Sequence, residues 1–129
     1  MKSYSILILE DEPLILMDLE FAAEDRGCEP HVASGVKSAL DIIESGQLDV
    51  AILDVSLGGG TTCFPVAQEL RRREIPFILH SGDLDRHNEK VRELDAPLIA
   101  KPAAADKVIA AAIVCAEGED ADAVKIAAE

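Results

Sequence analysis

The chain has 129 residues, 49% of them hydrophobic and only 3% aromatic, with 25 acidic side chains against 12 basic ones and a formal net charge of −13. One domain with an aliphatic core suits that length, while so acidic a balance excludes the usual phosphate-neutralising surface of a nucleic-acid binder. No apolar stretch approaches the roughly 18 residues of a membrane span, and the short run after Met1-Lys2-Ser3 is too brief for a secretory signal, so a cytoplasmic protein is expected.

Strand and helix signals alternate five times. Ser5 to Leu9 is an apolar run that leads into Glu10-Asp11. Pro13 then stands near a helix start, where its missing N–H costs little, and Ile15, Leu19, Ala22 and Ala23 repeat at helical spacing until Gly27. His31-Val32-Ala33 reads as a second strand, and Pro30 before it favours an edge position. Ser34 is expected to cap a helix whose face is Val36, Ala39, Leu40 and Ile43 and which closes at Gly46.

A third strand, Val50 to Leu53, leads into Asp54, followed by Ser56-Leu57-Gly58-Gly59-Gly60 and a helix carrying Cys63, Ala67 and Leu70. Pro76 to His80 forms a fourth strand ending on Ser81, and Asp83 is expected to cap a helix, thin in apolar residues, that runs to about Leu94. Pro97 to Ala100 is the fifth strand and ends on Lys101-Pro102; Val108, Ala111, Ala112 and Cys115 mark the last helix, which stops near Gly118. A second stripe, Ile109, Ala112, Ile113 and Ala116, is wider than one-sided burial needs and points to an interface. Residues 119–129 are acidic and alanine-rich and are expected to fray.

Alternating strands and helices imply a parallel sheet covered on both faces. Of the two common doubly wound orders, 2-1-3-4-5 places strands 1 and 3 side by side and Pro30 on an edge, so a flavodoxin-like (βα)5 α/β fold is expected. Glu10, Asp11, Asp54, Ser81 and Lys101 then converge at the carboxyl edge of the sheet, a set suited to a divalent cation beside a phosphoryl group. Taken singly, each motif has a bland reading: a helix-capping acidic pair, a turn serine, a surface lysine. The triple glycine lacks the Lys-Ser/Thr of a P-loop and reads as a turn. His80 reads as a histidine packed under the site rather than a ligand, His31 and His87 form no pattern, and the three cysteines read as buried small hydrophobes.

With these residues in this order, about residues 4–117 resemble a response-regulator receiver domain of two-component signalling. Ser56 to Gly60 followed by Phe64-Pro65-Val66-Ala67, with Ile75-Pro76-Phe77, is similar to small stand-alone receivers of alphaproteobacteria, although Ser81-Gly82-Asp83 departs from their Thr-Gly-Tyr. The resemblance implies Asp54 as phosphoacceptor, with Mg²⁺ or Mn²⁺ held by Asp11, Asp54 and the backbone carbonyl of Ser56, and by Glu10 through water. It implies Ser81, Gly82, Lys101 and Pro102 as the phosphoryl-binding and switching set. Ser56 and Asp83, two residues beyond Asp54 and Ser81, are expected to tune the lifetime of the acyl phosphate.

The expected protein is a stand-alone phosphoreceiver, residues 1–118, with an acidic extension and no output domain. It does not turn over a substrate of its own, beyond self-phosphorylation from a donor and slow self-dephosphorylation. It takes its phosphoryl group from a histidine kinase or phosphotransfer protein and signals through the face of helix 4, strand 5 and helix 5 to another protein or a second copy. Leu98 stands where receivers usually carry an aromatic, which supports an alternative: a constitutive interaction module with altered switching. A haloacid-dehalogenase-type phosphohydrolase would need a second Asp where Ser56 stands.

Overall fold

The computed structural model describes residues 3–82 and 89–129. In chain order these form β1 (Ser5–Leu9), α1 (Pro13–Asp25), β2 (Glu29–Ala33), α2 (Val36–Ser45), β3 (Val50–Leu53) and α3 (Phe64–Arg72). Then come β4 (Phe77–Ser81), α4 (Glu89–Glu93), β5 (Leu98–Ala100), α5 (Ala105–Ala116) and α6 (Ala121–Ala127). The five strands pair in parallel in the order β2-β1-β3-β4-β5, as the flavodoxin-like reading requires. Among the described residues, no helix is long and apolar enough to cross a membrane.

Side chains alternate across a strand, and here the alternation sorts by residue type. Ile6, Ile8, Ile52, Ile78 and Ile99 face α1 and α5 in one core, while Leu7, Leu9, Leu53 and Leu79 face the other side with residues of α2, α3 and α4. Both faces are dry, so strand register is tightly specified. Leu9 pairs with Ala33 on one side and with Leu53 on the other. Pro30 lies within β2, at the edge of the sheet.

Several local expectations give way. The N-cap of α2 is Gly35 rather than Ser34, and it offers no side-chain cap. β2 begins two residues earlier than the His31 expected from apolarity, because its backbone pairs with β1 from Ser5 onward. The described part of α4 is Glu89–Glu93; the expected cap Asp83, with Leu84 and His87, lies outside the described residues.

The largest difference is at the C-terminal end, where fraying was expected and α6 forms. The Asp120 carboxylate accepts a hydrogen bond from the Ala123 N–H at 2.9 Å, capping the helix, and Val124 is wholly buried. Ile113, Val114 and Ala116 of α5 join Ala127 of α6 in packing on the core that contains Val124. Ile109 and Ala112 are themselves wholly buried. Internal burial thus accounts for the second stripe of α5, which no longer argues for an external interface.

Candidate functional site

The sheet ladder continues past the strand ends and pins the reactive residues. The Glu10 N–H donates to the Ala33 carbonyl at 3.1 Å, the Asp54 N–H to the Leu9 carbonyl at 2.9 Å, and the Lys101 N–H to the Ser81 carbonyl at 2.8 Å. Asp54 is thereby held beside Glu10. Ser81 ends β4, which lies between β3 and β5, and is wholly buried. The peptide bond from Lys101 to Pro102 is cis.

Carboxylate oxygens of Glu10, Asp11 and Asp54 all lie within 4.8 Å of one another. Lys101 Nζ lies 2.9 Å from Glu10 Oε1 and 3.4 Å from Asp54 Oδ2. Glu10 and Asp54 are 1% and 4% exposed, while Asp11 and Lys101 are half-buried and border solvent. The Glu10–Lys101 contact is an ion pair without hydrogen-bond alignment, and Oε1 has no hydrogen-bond partner among the described residues. The other Glu10 oxygen, Oε2, accepts from the Glu12 N–H at 3.2 Å.

Three acids and one ammonium leave an excess of negative charge. Burial first, and then the neighbouring Glu10, push the Asp54 carboxyl up to about 8. Glu10 goes the other way: burial opposes its charge, but the neighbouring Asp54 carboxyl, the Lys101 ammonium and the Glu12 N–H together outweigh it and hold the carboxyl below its ordinary value. Burial likewise opposes the charge on Lys101, and the two carboxylates overcome that and raise it. These shifts describe one cluster sharing protons, short of positive charge. An all-oxygen set of three acids, matched by a single ammonium, fits a hard divalent cation such as Mg²⁺ or Mn²⁺.

The glycine run after β3 shapes the other wall. The Leu57 N–H donates to the Thr61 carbonyl at 2.9 Å and the Thr61 N–H to the Gly58 carbonyl at 3.0 Å, closing a tight turn. Gly58 has φ +78°, and a Cβ there would stand 3.3 Å from Asp11 Oδ2. Sequence reading identified a turn here but missed that it abuts the acidic pair. Gly58→Ala is expected to cost about 1–2 kcal/mol from the left-handed backbone alone. It should also displace Asp11 and weaken Mn²⁺ binding; urea unfolding and calorimetric titration check the two effects.

The remaining expected residues are placed as follows. Ser56 is exposed, its backbone bridged to Thr62, and Gly82 is half-buried. Pro102 is exposed, and Asp83 lies outside the described residues. His80 is 3% exposed, packed beneath the site as expected, and neither ring nitrogen has a hydrogen-bond partner among the described residues. Burial first, and then the Lys101 charge, lower it to about 4, against an opposing pull from Glu10. The three cysteines are buried, as small hydrophobes would be.

The model of the response regulator receiver domain matches residues 6–113. The chain belongs to that family. This receiver domain is 36% identical over 103 residues to the phyllosphere-induced regulator PhyR of Methylorubrum extorquens, covering 75% of this chain and 38% of PhyR. It thus spans well under half of that relative's length. SdrG from Sphingomonas melonis is 39% identical, with a TM-score of 0.75 over 91% of this chain and 99% of SdrG. The receiver domain of NtrX from Brucella abortus is 26% identical, with a TM-score of 0.77 over 88% of this chain and 99% of that one. PhyR and SdrG bear out the resemblance to receivers of alphaproteobacteria.

Proposed function

We propose that this receiver domain is a phosphoreceiver that accepts a phosphoryl group on Asp54 from a histidine kinase or histidine phosphotransfer protein. The observation that carries the reading is the placement of the Asp54 carboxylate between two other acids and the Lys101 ammonium at the carboxyl edge of the sheet. In the transfer, an Asp54 Oδ forms the new O–P bond as the donor's N–P bond breaks. The electron pair returns to the donor imidazole, so positioning does most of the work. Asp11, Asp54 and the Ser56 carbonyl would hold Mg²⁺ or Mn²⁺, with Glu10 through water. The ion's charge would offset repulsion between the carboxylates and the incoming phosphoryl oxygens.

Lys101 holds one phosphoryl oxygen as a point charge, exchanging its contact with Asp54 for one with the transferred group. Ser81 hydrogen-bonds a second oxygen, and Gly82 leaves room beside it. Pro102 follows the lysine and shapes its turn. Incubation with acetyl phosphate and Mg²⁺, read by intact mass, is expected to add one phosphoryl group to the native chain and none to Asp54→Asn. An undiminished adduct in Asp54→Asn would overturn the assignment. Ser56 and Asp83 flank the route of the hydrolytic water in this reading, with Asp83 orienting it. Asp83→Ala is expected to lengthen the adduct's lifetime several-fold, and a shorter lifetime would reverse that role.

Output passes, in the same proposal, through α4, β5 and α5 to a separate protein or a second copy. Lys125 of α6 borders the same hollow as Val91, Asp95 and Leu98, so a partner on that face also meets α6. One observation favours a second reading, a constitutive interaction module. Leu98 pairs with Leu79 and packs half-buried against the leucine-lined core, without a ring to rotate. A chain that binds its partner equally well with Asp54 native or replaced by Asn would support that module.

A further inference from the structure

We propose that this chain associates head to tail with a second copy, the exposed stripe of α1 on one copy seating in the hollow between α4, β5 and α6 of the other. Among the described residues, the large apolar side chains left exposed are Leu14, Met17 and Phe21 of α1 and Ile126 of α6. Leu14, Met17 and Phe21 follow helical spacing and form one line along α1. Leu14 is 75% and Phe21 54% exposed, although Leu19, Ala22 and Ala23 already bury the other face of the helix. Folding does not use this stripe, and a contiguous exposed apolar line of this kind marks a contact surface.

Charge makes the stripe and the hollow complementary. α1 carries no Lys or Arg, and helical spacing sets Asp18 and Asp25 along one side of the stripe and Glu20 and Glu24 along the other. The hollow has a volume of about 430 Å³, apolar walls from Val91, Ala96 and Leu98, and Arg92 and Lys125 at its rim. Neither of these two cationic side chains has an ion-pair or hydrogen-bond partner among the described residues, whereas Arg26, Lys37, Arg72, Arg73 and Lys101 each face a carboxylate. Asp95, also lining the hollow, offsets one of the two charges and leaves the rim positive. A cavity of about 150 Å³ takes up benzene, so the Phe21 ring fits this larger space.

Pairing α1 with α1 would bring acids against acids, so the contact joins two different patches. Such a heterologous contact leaves one stripe and one hollow unused on every pair, and copies add in a row or a ring. The net charge of −13 opposes the approach. At physiological salt that repulsion is screened beyond a Debye length of about 8 Å, while the close pairs at the hollow still act. The contact forms in the unphosphorylated chain, so it is tested apart from the phosphoreceiver reading. It covers part of the face assigned to output, and self-association therefore competes with an output partner.

Sedimentation of the intact chain at physiological salt is expected to give a mean mass that climbs past two copies with concentration, with a dissociation constant on the order of 100 μM. Phe21→Ser removes the ring and Lys125→Glu reverses a rim charge, and each alone should associate at least about tenfold more weakly. Arg92→Glu repeats the second test from α4, where a loosened α6 plays no part. Mixed in equal amounts, Phe21→Ser and Lys125→Glu should form a pair and stop there, because the first keeps an intact hollow and the second an intact stripe. A native chain that stays a single copy up to about 1 mM would overturn the proposal. Undiminished association in Phe21→Ser, or in both charge reversals, would do the same, as would a mixture that fails to pair.

Discussion

With chelator present, the chain is expected to be nearly insensitive to pH between about 4 and 6.5, and to lose stability between about 6.5 and 8. Two buried groups set this shape. Asp54 is pushed up to about 8 in the fold, far above its ordinary value of 3.8. The folded chain keeps a proton there that the unfolded chain releases, so the associated stability is full below about pH 4 and is lost as pH rises through 8. His80 works in the opposite sense. Its folded value of about 4 lies below the ordinary 6.5, so between those values the unfolded chain binds the extra proton and stability rises with pH.

From about 4 to 6.5 the two slopes cancel; above 6.5 only the Asp54 slope remains, at most about 1.4 kcal/mol per pH unit. Glu10, held below its ordinary value, contributes only at more acidic pH, and Lys101, raised, only in alkali. Urea unfolding at several pH values checks the profile. Asp54→Asn should convert it to a rise that levels above about 6.5, and His80→Leu should extend the fall down to about 4. A native profile that rises from 6.5 to 8 would contradict the protonated, metal-free cluster.

The second large effect is expected of Asp11→Asn, with binding and stability moving in opposite directions. If Asp11 is a direct ligand, as proposed, its removal should lower Mg²⁺ or Mn²⁺ affinity by at least about 100-fold, beyond the loss typical of outer-shell changes. Phosphorylation by acetyl phosphate should slow in parallel. The same change relieves repulsion among three acids within 4.8 Å, so the metal-free variant should unfold at higher urea than the native chain. A purely structural Asp11 would lower metal affinity and stability together. Fluorescence-independent readouts, calorimetry for the ion and circular dichroism for unfolding, suit a chain without tryptophan.

The sheet was legible because burial on both faces demands near-continuous Ile, Leu, Val and Ala, and those runs stop where reactive residues begin. Strand order followed from Pro30, which suits an edge, and from the chemistry that brings Asp54 beside Glu10-Asp11. α6 was not legible. Its one deeply buried side chain is Val124, and the acids around it resemble a solvated tail, so the cap at Asp120 and the packing on α5 emerge only in three dimensions. The α5 stripe misled for the same reason, since its covering helix was read as frayed. Of the site, strand-end positions marked Glu10, Asp11, Asp54, Ser81 and Lys101. The approach of Gly58 to Asp11 and the hollow shared by Leu98 and Lys125 join residues distant in the chain, and no local pattern announces either.

Proteolytic mapping of the phosphorylated chain tests the central claim most directly. After incubation with acetyl phosphate and Mg²⁺, a single phosphoryl group is predicted on the peptide containing Asp54, and none when the cation is chelated. A phosphoryl group on Glu10, Asp11, His80 or Ser81 instead, or an adduct indifferent to the cation, would contradict the account.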